Sequence, residues 1–191
     1  MSKQSKKIKA INATRKSKDT DVLYENHIDL KNRRVFFFDD VNNESCLLAI
    51  KNLLLLDDTE GPITLLINSF GGDIDSGWGL FDTIVSLKNE ITGIVTGTAS
   101  SMASIILQAC DVRKMTKNSN ILIHNSKYKL SVQGVALKTW AKNDKEFEDT
   151  TLEIFKTKTK LSAAKLKQLI SAETIMNSKE SLEWGFVDGI V

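Results

Sequence analysis

Three serines lie in a segment of small residues, Gly97-Thr-Ala-Ser-Ser-Met-Ala-Ser104, between a predicted strand and a predicted helix. A serine at such a junction lies at the positive end of the helix dipole, beside backbone N–H groups that have no helical partner. That setting suits a nucleophile, although small residues here also simply let a helix pack closely on a sheet. The local pattern does not decide between Ser100, Ser101 and Ser104.

Only two histidines, His27 and His124, are present to act as the base for such a serine. His27 lies in a polar lead-in segment and is predicted to be exposed. His124 ends a predicted buried strand, at the carboxyl edge where open α/β sheets place their sites. Because a serine hydroxyl needs a base to take its proton, His124 is the candidate base, and a third group must orient it. A solvent-facing histidine at a strand end is the plainer alternative.

A double glycine in Asn68-Ser-Phe-Gly-Gly72 comes directly before another predicted helix. Two adjacent glycines let the backbone turn sharply and point N–H groups at a developing oxyanion. The spacing matches neither a phosphate-binding loop nor a dinucleotide fingerprint, which disfavours nucleotide binding. The cysteines and histidines lack metal-ligand spacing, so we expect no metal and no cofactor.

Alternating strands and helices must position these residues. Strands are predicted at 35–38, 63–67, 91–96 and 120–124, and helices at 44–57, 74–88 and about 100–110. The helix at 74–88 is amphipathic, because its apolar residues recur every three to four positions. Continuous apolar strands imply burial on both faces, which predicts an α/β fold with mainly parallel pairing.

The last third of the chain is predicted to be helical. A charged, proline-free segment after Gly134 forms one long helix over 135–158, whose thin apolar stripe must project or pack on another chain. Ser162 is predicted to cap a short helix through Ile170. Asn177 with Glu180 is predicted to cap a final helix that Gly185 ends.

Composition limits the class of protein. A chain of 191 residues suits one domain, and no apolar run reaches the 18 residues of a membrane span. The N-terminus lacks the apolar core of a secretory signal. Two cysteines cannot form a disulfide framework, which predicts a reducing, cytoplasmic location. The net charge of +2 combines seven bases and no acid in residues 1–18 with 19 bases and 24 acids in the rest.

Five blocks, in this order, resemble the proteolytic subunit of the Clp protease family. They are Ile67-Asn-Ser-Phe-Gly-Gly72, Gly79-Leu-Phe-Asp-Thr83, Gly97-Thr-Ala-Ser-Ser-Met102, Asn120-Ile-Leu-Ile-His124 and Glu183-Trp-Gly-Phe-Val-Asp188. The resemblance covers residues 22–191 as a single peptidase domain, with a basic, flexible tail over 1–21. It implies a crotonase-like ββα superhelix core with a protruding handle helix at about 132–160.

The resemblance also implies an activity and an assembly. The family hydrolyses unfolded or translocated polypeptides inside heptameric rings that stack as a tetradecamer, usually fed by an AAA+ ATPase unfoldase. Matched by position, Ser101 is the nucleophile, because it precedes the family's methionine, and His124 is the general base. The N–H groups of Gly72 and Met102 match the oxyanion hole.

The third triad member is an aspartate in the family. Counted back from Gly185, the matching residue here is Glu173. A glutamate can orient a histidine as an aspartate does, but its extra methylene moves the carboxylate by about 1.5 Å. A surface acid is the alternative reading of Glu173, and Asp111 and Asp144 are weaker candidates for the role.

Several positions depart from the family pattern. Phe70 replaces the proline before the double glycine, and Asn125-Ser126 replaces the proline after the histidine. Residues 1–21 do not match the segment that forms axial loops and contacts the ATPase in bacterial enzymes, which puts coupling to a standard ATPase in doubt. The pattern resembles divergent members encoded by tailed viruses for capsid maturation, which would place the chain in a host cytoplasm.

Two functions besides an active peptidase stay open. A weakly active or inactive ring subunit with an assembly or scaffolding role would keep the body, while the glutamate exchange weakens catalysis. A thioester-handling crotonase relative would use a similar oxyanion hole, although the Ser–His pair favours a peptidase. Nucleic-acid binding is disfavoured, because the excess of basic residues lies in the tail, outside the part that carries the resemblance.

Overall fold

A computed structural model of the chain describes residues 25–126 and 136–191, so the predicted tail over 1–21 lies outside the described residues. In chain order the elements of those two ranges are β1 Ile28–Asp29, β2 Arg34–Phe37, α1 Asn43–Asp57, β3 Ile63–Ser69, α2 Ile74–Ser86, β4 Ile91–Ser100, α3 Met102–Gln108, β5 Val112–Met115, β6 Asn120–Ile123, α4 Ala136–Lys158, α5 Ala163–Ser171, β7 Thr174–Asn177, α6 Ser178–Trp184 and β8 Gly189–Ile190. The α/β class that the sequence predicts is confirmed.

Most of the sheet is parallel, also as predicted. The strands run in the order β1-β2-β3-β4-β5-β8, and each neighbouring pair from β2 to β8 is parallel. β6 pairs in parallel with β4 and antiparallel with β7, and β1 pairs antiparallel with β2. Because parallel strands end at the same edge of a sheet, the carboxyl ends of β3, β4 and β6 lie together.

β4 runs further than predicted, through Gly97 to Ser100, because it serves two partners. Its residues 92–95 pair with β5, whereas residues 98–100 pair with β6. The register with β3 shifts at the change of partner. There the side chain of Asn68 fills the space that a Cβ on Gly97 would need, and its Oδ1 accepts the Thr98 N–H at 3.1 Å. This change of partner brings β6 beside the end of β4.

The core closes one face of the sheet more fully than the other. Ile63, Leu65 and Ile67 of β3 are fully buried, while the alternate residues Thr64 and Leu66 are only half-buried. Burial on both faces, which the apolar runs predicted, is therefore complete on one face only.

The predicted helix ends are confirmed. Ser162 Oγ accepts the Lys165 N–H at 3.2 Å, which caps α5. Asn177 and Glu180 form a reciprocal capping box at the start of α6. Gly185 ends α6 in the left-handed region at φ 83°. These local signals are reliable because each satisfies a backbone group that the helix end leaves unpaired.

The long helix is confirmed as α4, with a partner that the sequence did not reveal. Its C-terminal half packs on the chain's own core through Leu152 and Phe155, which are 9% and 2% exposed. Nearer its N-terminus, Trp140 is 43% exposed. Among the described residues, no helix, α4 included, has the length and hydropathy that crossing a bilayer requires.

The sequence did not predict four short strands, namely β1, β5, β7 and β8. β5 reads Val-Arg-Lys-Met, and its polar residues give no apolar run to detect. Arg113 in β5 is nevertheless 7% exposed, because its guanidinium is used for bonding. It binds Asp188, the side chain of Gln108 and the carbonyl oxygens of Lys158 and Gly185. Those bonds hold the chain's C-terminal segment against the core.

Candidate active site

Ser101 differs from the two other serines of its segment. Its side chain lines a cavity, and its hydroxyl forms no hydrogen bond among the described residues. Ser100 is 7% exposed, and its Oγ lies 2.7 Å from Thr98 Oγ1. Ser104 is 1% exposed, and its hydroxyl donates to the Ser101 carbonyl at 2.6 Å. Ser101 is half-buried and lines the cavity beside α3. Of the three serines, Ser101 is therefore the candidate nucleophile with a hydroxyl that is not already bonded among the described residues.

The backbone at Ser101 is strained. Its φ of 55° and ψ of −125° lie in a region that residues with a side chain rarely adopt. Such a conformation costs about 1–3 kcal/mol and persists where surrounding structure enforces it, often at functional sites. Here the Ser101 N–H donates to the Leu122 carbonyl at 2.9 Å, which ties the turn to β6. A sharp strand-to-helix turn of this kind exposes the hydroxyl of a nucleophilic serine.

The double glycine packs directly against this turn. Gly71 and Gly72 have φ of 87° and 149°. A Cβ on Gly71 would lie 2.7 Å from Ser101 Cβ and 3.0 Å from the Met102 nitrogen, so only glycine permits the approach. Val41 holds the glycine turn in place, because its N–H donates to the Gly71 carbonyl at 2.8 Å.

Gly72 and Met102 line the same cavity as Ser101, and the N–H of neither donates a hydrogen bond within residues 25–126 and 136–191. Met102 begins α3, so its N–H is one of those that a helix start leaves without a partner. The Met102 side chain fills the space beside Gly77 of α2 and so fixes the start of α3. Two unpaired N–H groups beside a serine can stabilise an oxyanion.

His124 follows β6 and lines the same cavity as Ser101, Gly72 and Met102. Its Nδ1 is buried and has no hydrogen-bond partner among the described residues. The structure thus brings four of the five predicted site residues to one cavity. His27, by contrast, lies on the surface, with its Nδ1 3.6 Å from Asp39 Oδ2.

Glu173 does not line the cavity, but the strand register relates it to His124. β6 and β7 pair antiparallel, and their last pair is Ile123 with Thr174. His124 directly follows the last paired residue of β6, and Glu173 directly precedes the first residue of β7, so both residues lie at the same end of this strand pair. Glu173 is exposed and has a φ of 50°, so its backbone, like that of Ser101, is in the left-handed half.

The two other candidate acids are separated by position. Asp111 accepts the Ile91 N–H at 2.8 Å, at the start of β4 and thus at the opposite end of the strand from Ser101. Asp144 of α4 does line the cavity with His124, and its Oδ1 is buried with no partner among the described residues. The structure therefore removes Asp111 from the site and keeps Asp144 in its wall.

The sequence reading missed the far wall of the cavity. α2 and α4 contribute acidic and aromatic side chains there, among them Asp75, Trp78 and Phe147. The signal that could have found part of it is the spacing of Asp75, Trp78 and Asp82, which places them on one face of the helix after the double glycine. In the part of the chain that the structure describes, no three His, Cys, Asp or Glu residues gather as metal ligands.

A family model for the Clp protease matches residues 17–191, which includes every site residue named above. The chain belongs to the Clp protease family. The resemblance that the five sequence blocks carry is therefore confirmed. The mainly parallel sheet with its helices is consistent with the fold of the Clp protease family.

Curated Clp protease relatives cover most of the chain. The ATP-dependent Clp protease proteolytic subunit 1 of Protochlamydia amoebophila is 34% identical over 171 residues, which is 86% of this chain and 83% of that protein. The subunit of the same name from Chlamydia trachomatis is 32% identical over 169 residues, 85% of this chain and 88% of that one. The ATP-dependent Clp protease proteolytic subunit of Deinococcus radiodurans is 30% identical over 166 residues, 85% of this chain and 81% of that one.

Proposed function

We propose that this chain is a serine endopeptidase with Ser101 as nucleophile, His124 as general base and Glu173 as the acid that orients the base. The observation that carries the proposal is the strained turn at Ser101, which lines one cavity with Gly72 and Met102, whose N–H groups have no partner among the described residues. Strain at this residue has no evident structural use, whereas it exposes a nucleophile beside two oxyanion donors.

The proposed reaction runs in two halves. His124 takes the proton of Ser101 Oγ as the oxygen attacks a peptide carbonyl carbon, and the N–H groups of Gly72 and Met102 bind the resulting oxyanion. His124 then gives the proton to the leaving amine as the peptide bond breaks. Water attacks the acyl-enzyme in the second half, His124 again takes and returns a proton, and Ser101 is released.

Glu173 is proposed as the third member because of its place in the register. An imidazole that accepts a proton at one nitrogen needs its other N–H held by an acceptor. The antiparallel pairing of β6 with β7 supports this proposal, because His124 directly follows β6 and Glu173 directly precedes β7 at the same end of the pair. A carboxylate one methylene longer than the family's aspartate would reach back toward His124 Nδ1.

A ring assembly of this chain is proposed on two grounds, its membership of the Clp protease family and its exposed apolar side chains. Heptameric rings stacked as a tetradecamer would enclose the Ser101 sites, and an AAA+ ATPase unfoldase would supply unfolded polypeptides. A crotonase-like core, with α4 as the handle, and a single domain over 22–191 belong to the same proposal. A reducing compartment suits the free thiols of Cys46 and Cys110, both buried.

Ser101→Ala tests the reaction. The substitution should reduce turnover of a short fluorogenic peptide by more than about 10⁴-fold and abolish labelling by a fluorophosphonate, because both need the Ser101 hydroxyl. Ser86→Ala is the matched control, since that exposed hydroxyl only donates to the Thr83 carbonyl at the end of α2. Unchanged turnover and labelling in Ser101→Ala would refute the proposal.

A weakly active or inactive ring subunit is the second candidate, and one observation favours it. His124 Nδ1 has no partner among the described residues, so the imidazole is not held in a catalytic orientation there. Wild-type protein that forms rings but neither turns over peptides nor takes the fluorophosphonate would support this candidate. Cleavage after addition of a second Clp proteolytic subunit would identify a role in a mixed ring.

A further inference from the structure

The cavity beside Ser101 is large and lies between α2 and α4. Its volume is ≈ 1430 Å³, beyond the 300–1,000 Å³ of common small-ligand pockets. α2 presents Asp75, Trp78 and Asp82 to it, and α4 presents Asp144 and Phe147. There is room for several residues of an extended peptide.

The part of the wall that the structure describes carries negative charge. Five carboxylates line the cavity, and no described wall residue is a lysine or arginine. Asp73 caps α2, and Glu146 lies 3.5 Å from Lys142 Nζ, but Asp75, Asp82 and Asp144 form no ion pair among the described residues. Asp75 and Asp82 are exposed and Asp144 is half-buried, and carboxylates that line one cleft together attract cations.

The pKa of Glu148, which lies near Asp144 on α4, reflects the negative charge around it. Burial first, and then the carboxylates of Asp144 and Asp149, raise the pKa of Glu148 above its ordinary value. The surroundings of Asp144 on α4 are thus electronegative enough to oppose a further negative charge.

A second, independent feature of the cavity is its set of unpaired polar atoms. Four wall residues have a buried polar atom with no hydrogen-bond partner among the described residues, namely His124, Ser126, Asp144 and Thr151. Thr151 is only 8% exposed. Buried polar atoms in native proteins are nearly always bonded, so the unpaired atoms of Asp144 and Thr151 can bond to a ligand in the cavity. The wall carboxylates are not a metal site, because no cluster of three possible ligands exists in the described ranges.

The aromatic residues between the carboxylates suit a long cationic side chain. Trp78 contacts Phe81 and Phe147, with ring centroids 5.4 and 5.8 Å apart, and so links α2 to α4 across the cavity. The aliphatic stem of a lysine or arginine packs on such rings, and its charged head interacts with ring faces and carboxylates. A glutamate or aspartate in the same place would meet only like charge.

We propose that this cavity makes the site selective for peptide segments that carry lysine or arginine close to the bond to be cleaved. The inference rests on the proposed function in that the cavity holds Ser101, and it names the substrate class of that same site. Asp75, Asp82 and Asp144 are the specificity-determining residues, because they are the wall carboxylates with no ion-pair partner in the described residues.

Binding measured without cleavage tests this selectivity. Ser101→Ala protein is titrated into two fluorescein-labelled decapeptides of one sequence, with a central Lys-Lys in one and Glu-Glu in the other. Fluorescence anisotropy at low salt should show the Lys-Lys peptide binding at least about tenfold more tightly. At about 0.5 M salt the ratio should fall to less than about threefold, because exposed charges are then screened.

Two sets of substitutions in the Ser101→Ala background locate the effect. Asp75→Asn, Asp82→Asn and Asp144→Asn together should remove the preference for the Lys-Lys peptide. The control set, Asp40→Asn, Asp58→Asn and Glu60→Gln, removes three exposed carboxylates outside the cavity wall and should keep it. Circular dichroism confirms that both triple variants are folded.

The outcomes separate this inference from the proposed function. Equal affinity for the two peptides, no binding of either, or a preference that survives the cavity substitutions overturns the inference. Selective binding of the Lys-Lys peptide that wild-type protein then fails to cleave leaves the selectivity standing and refutes the peptidase. Cleavage of both peptides with equal kcat/KM refutes the selectivity and leaves the peptidase standing.

Discussion

Ser101 and Glu173 share a backbone feature that few residues have. Both have a positive φ without being glycine, as do only two others in the described ranges, His27 and Arg33. A side chain in this region costs free energy that glycine would avoid. Glu173 directly follows the C-cap of α5, where a left-handed residue commonly ends a helix, whereas Ser101 with its ψ of −125° has no such structural reason. The strain at Ser101 is therefore the one that favours a functional role.

Glu173→Gln tests the proposed orienting acid. Removal of the carboxylate charge should lower kcat by about 10³–10⁴-fold, since the imidazole loses the group that selects its tautomer and stabilises its protonated form. Glu173→Asp should keep the charge and lose about tenfold to a hundredfold, because a displacement near 1 Å misaligns the base. Peptide turnover under first-order conditions measures both.

Glu183→Gln is the control for that pair of substitutions, because it removes an exposed acid from α6 without touching the register between β6 and β7. Full activity in Glu173→Gln would remove Glu173 from the triad. Asp144, which shares the cavity with His124, would then be the acid to test next.

The elements around β4 explain why the site forms where it does. The change of partner from β5 to β6 brings the end of β6 beside the end of β4. The N–H of Ser101 closes the arrangement by bonding to Leu122 of β6. Ser101 and His124, the proposed nucleophile and base, are 23 positions apart in the chain and each directly follows one strand of this parallel pair.

Arg113→Met tests the bonding that joins β5 to the C-terminal segment. The substitution leaves Gln108 Oε1 and two carbonyl oxygens without their donor, so the free energy of unfolding should fall by about 2–4 kcal/mol. Urea denaturation followed by tryptophan fluorescence measures it. Lys156→Met is the control, since that exposed pair with Glu153 contributes at most about 1 kcal/mol.

The loss of stability in Arg113→Met should depend on pH, because Arg113 binds the carboxylate of Asp188. Burial raises the pKa of Asp188, but the hydrogen bonds from Arg113 outweigh it, and the net pKa is lowered. A group whose pKa is lowered in the folded state stabilises the fold at pH values above its unfolded pKa of about 4. That stabilisation is lost as the pH falls through the pKa of the folded state. The stability gap between wild type and Arg113→Met should therefore narrow from pH 7 to pH 3, and a gap that widens would contradict the assignment.

Exposed apolar side chains bear on the state of the whole molecule. Leu47 and Leu54 lie seven residues apart on one face of α1 and are 46% and 49% exposed, and Val85 at the end of α2 is 61% exposed. Large apolar side chains that share a face commonly mark an interface with another chain. Closed rings are the arrangement that family membership favours.

Light scattering tests the proposed ring at micromolar concentration. Fourteen copies of a 21.3 kDa chain come to about 300 kDa, and that mass is expected for wild type. Leu47→Glu with Leu54→Glu should lower the mass, because two buried charges would oppose association. A wild-type mass near that of one chain would refute the ring.

Much of the fold could be predicted from the sequence, and so could four candidate residues that line one cavity, namely Gly72, Ser101, Met102 and His124. Local rules were enough for the caps at Ser162 and Asn177, the end of α6 at Gly185, and the strands with apolar runs. The ordered blocks were enough for the family. These signals are readable because each depends on residues that are neighbours in the chain.

Only the tertiary structure decided the rest. The choice of Ser101 over Ser100 and Ser104 depends on which hydroxyl is already bonded, and the place of Glu173 depends on the pairing of β7 with β6. The acidic and aromatic wall forms because α2 and α4 meet across the cavity, although α4 begins 50 residues after α2 ends. Such contacts join segments distant in the chain, and no local spacing encodes them.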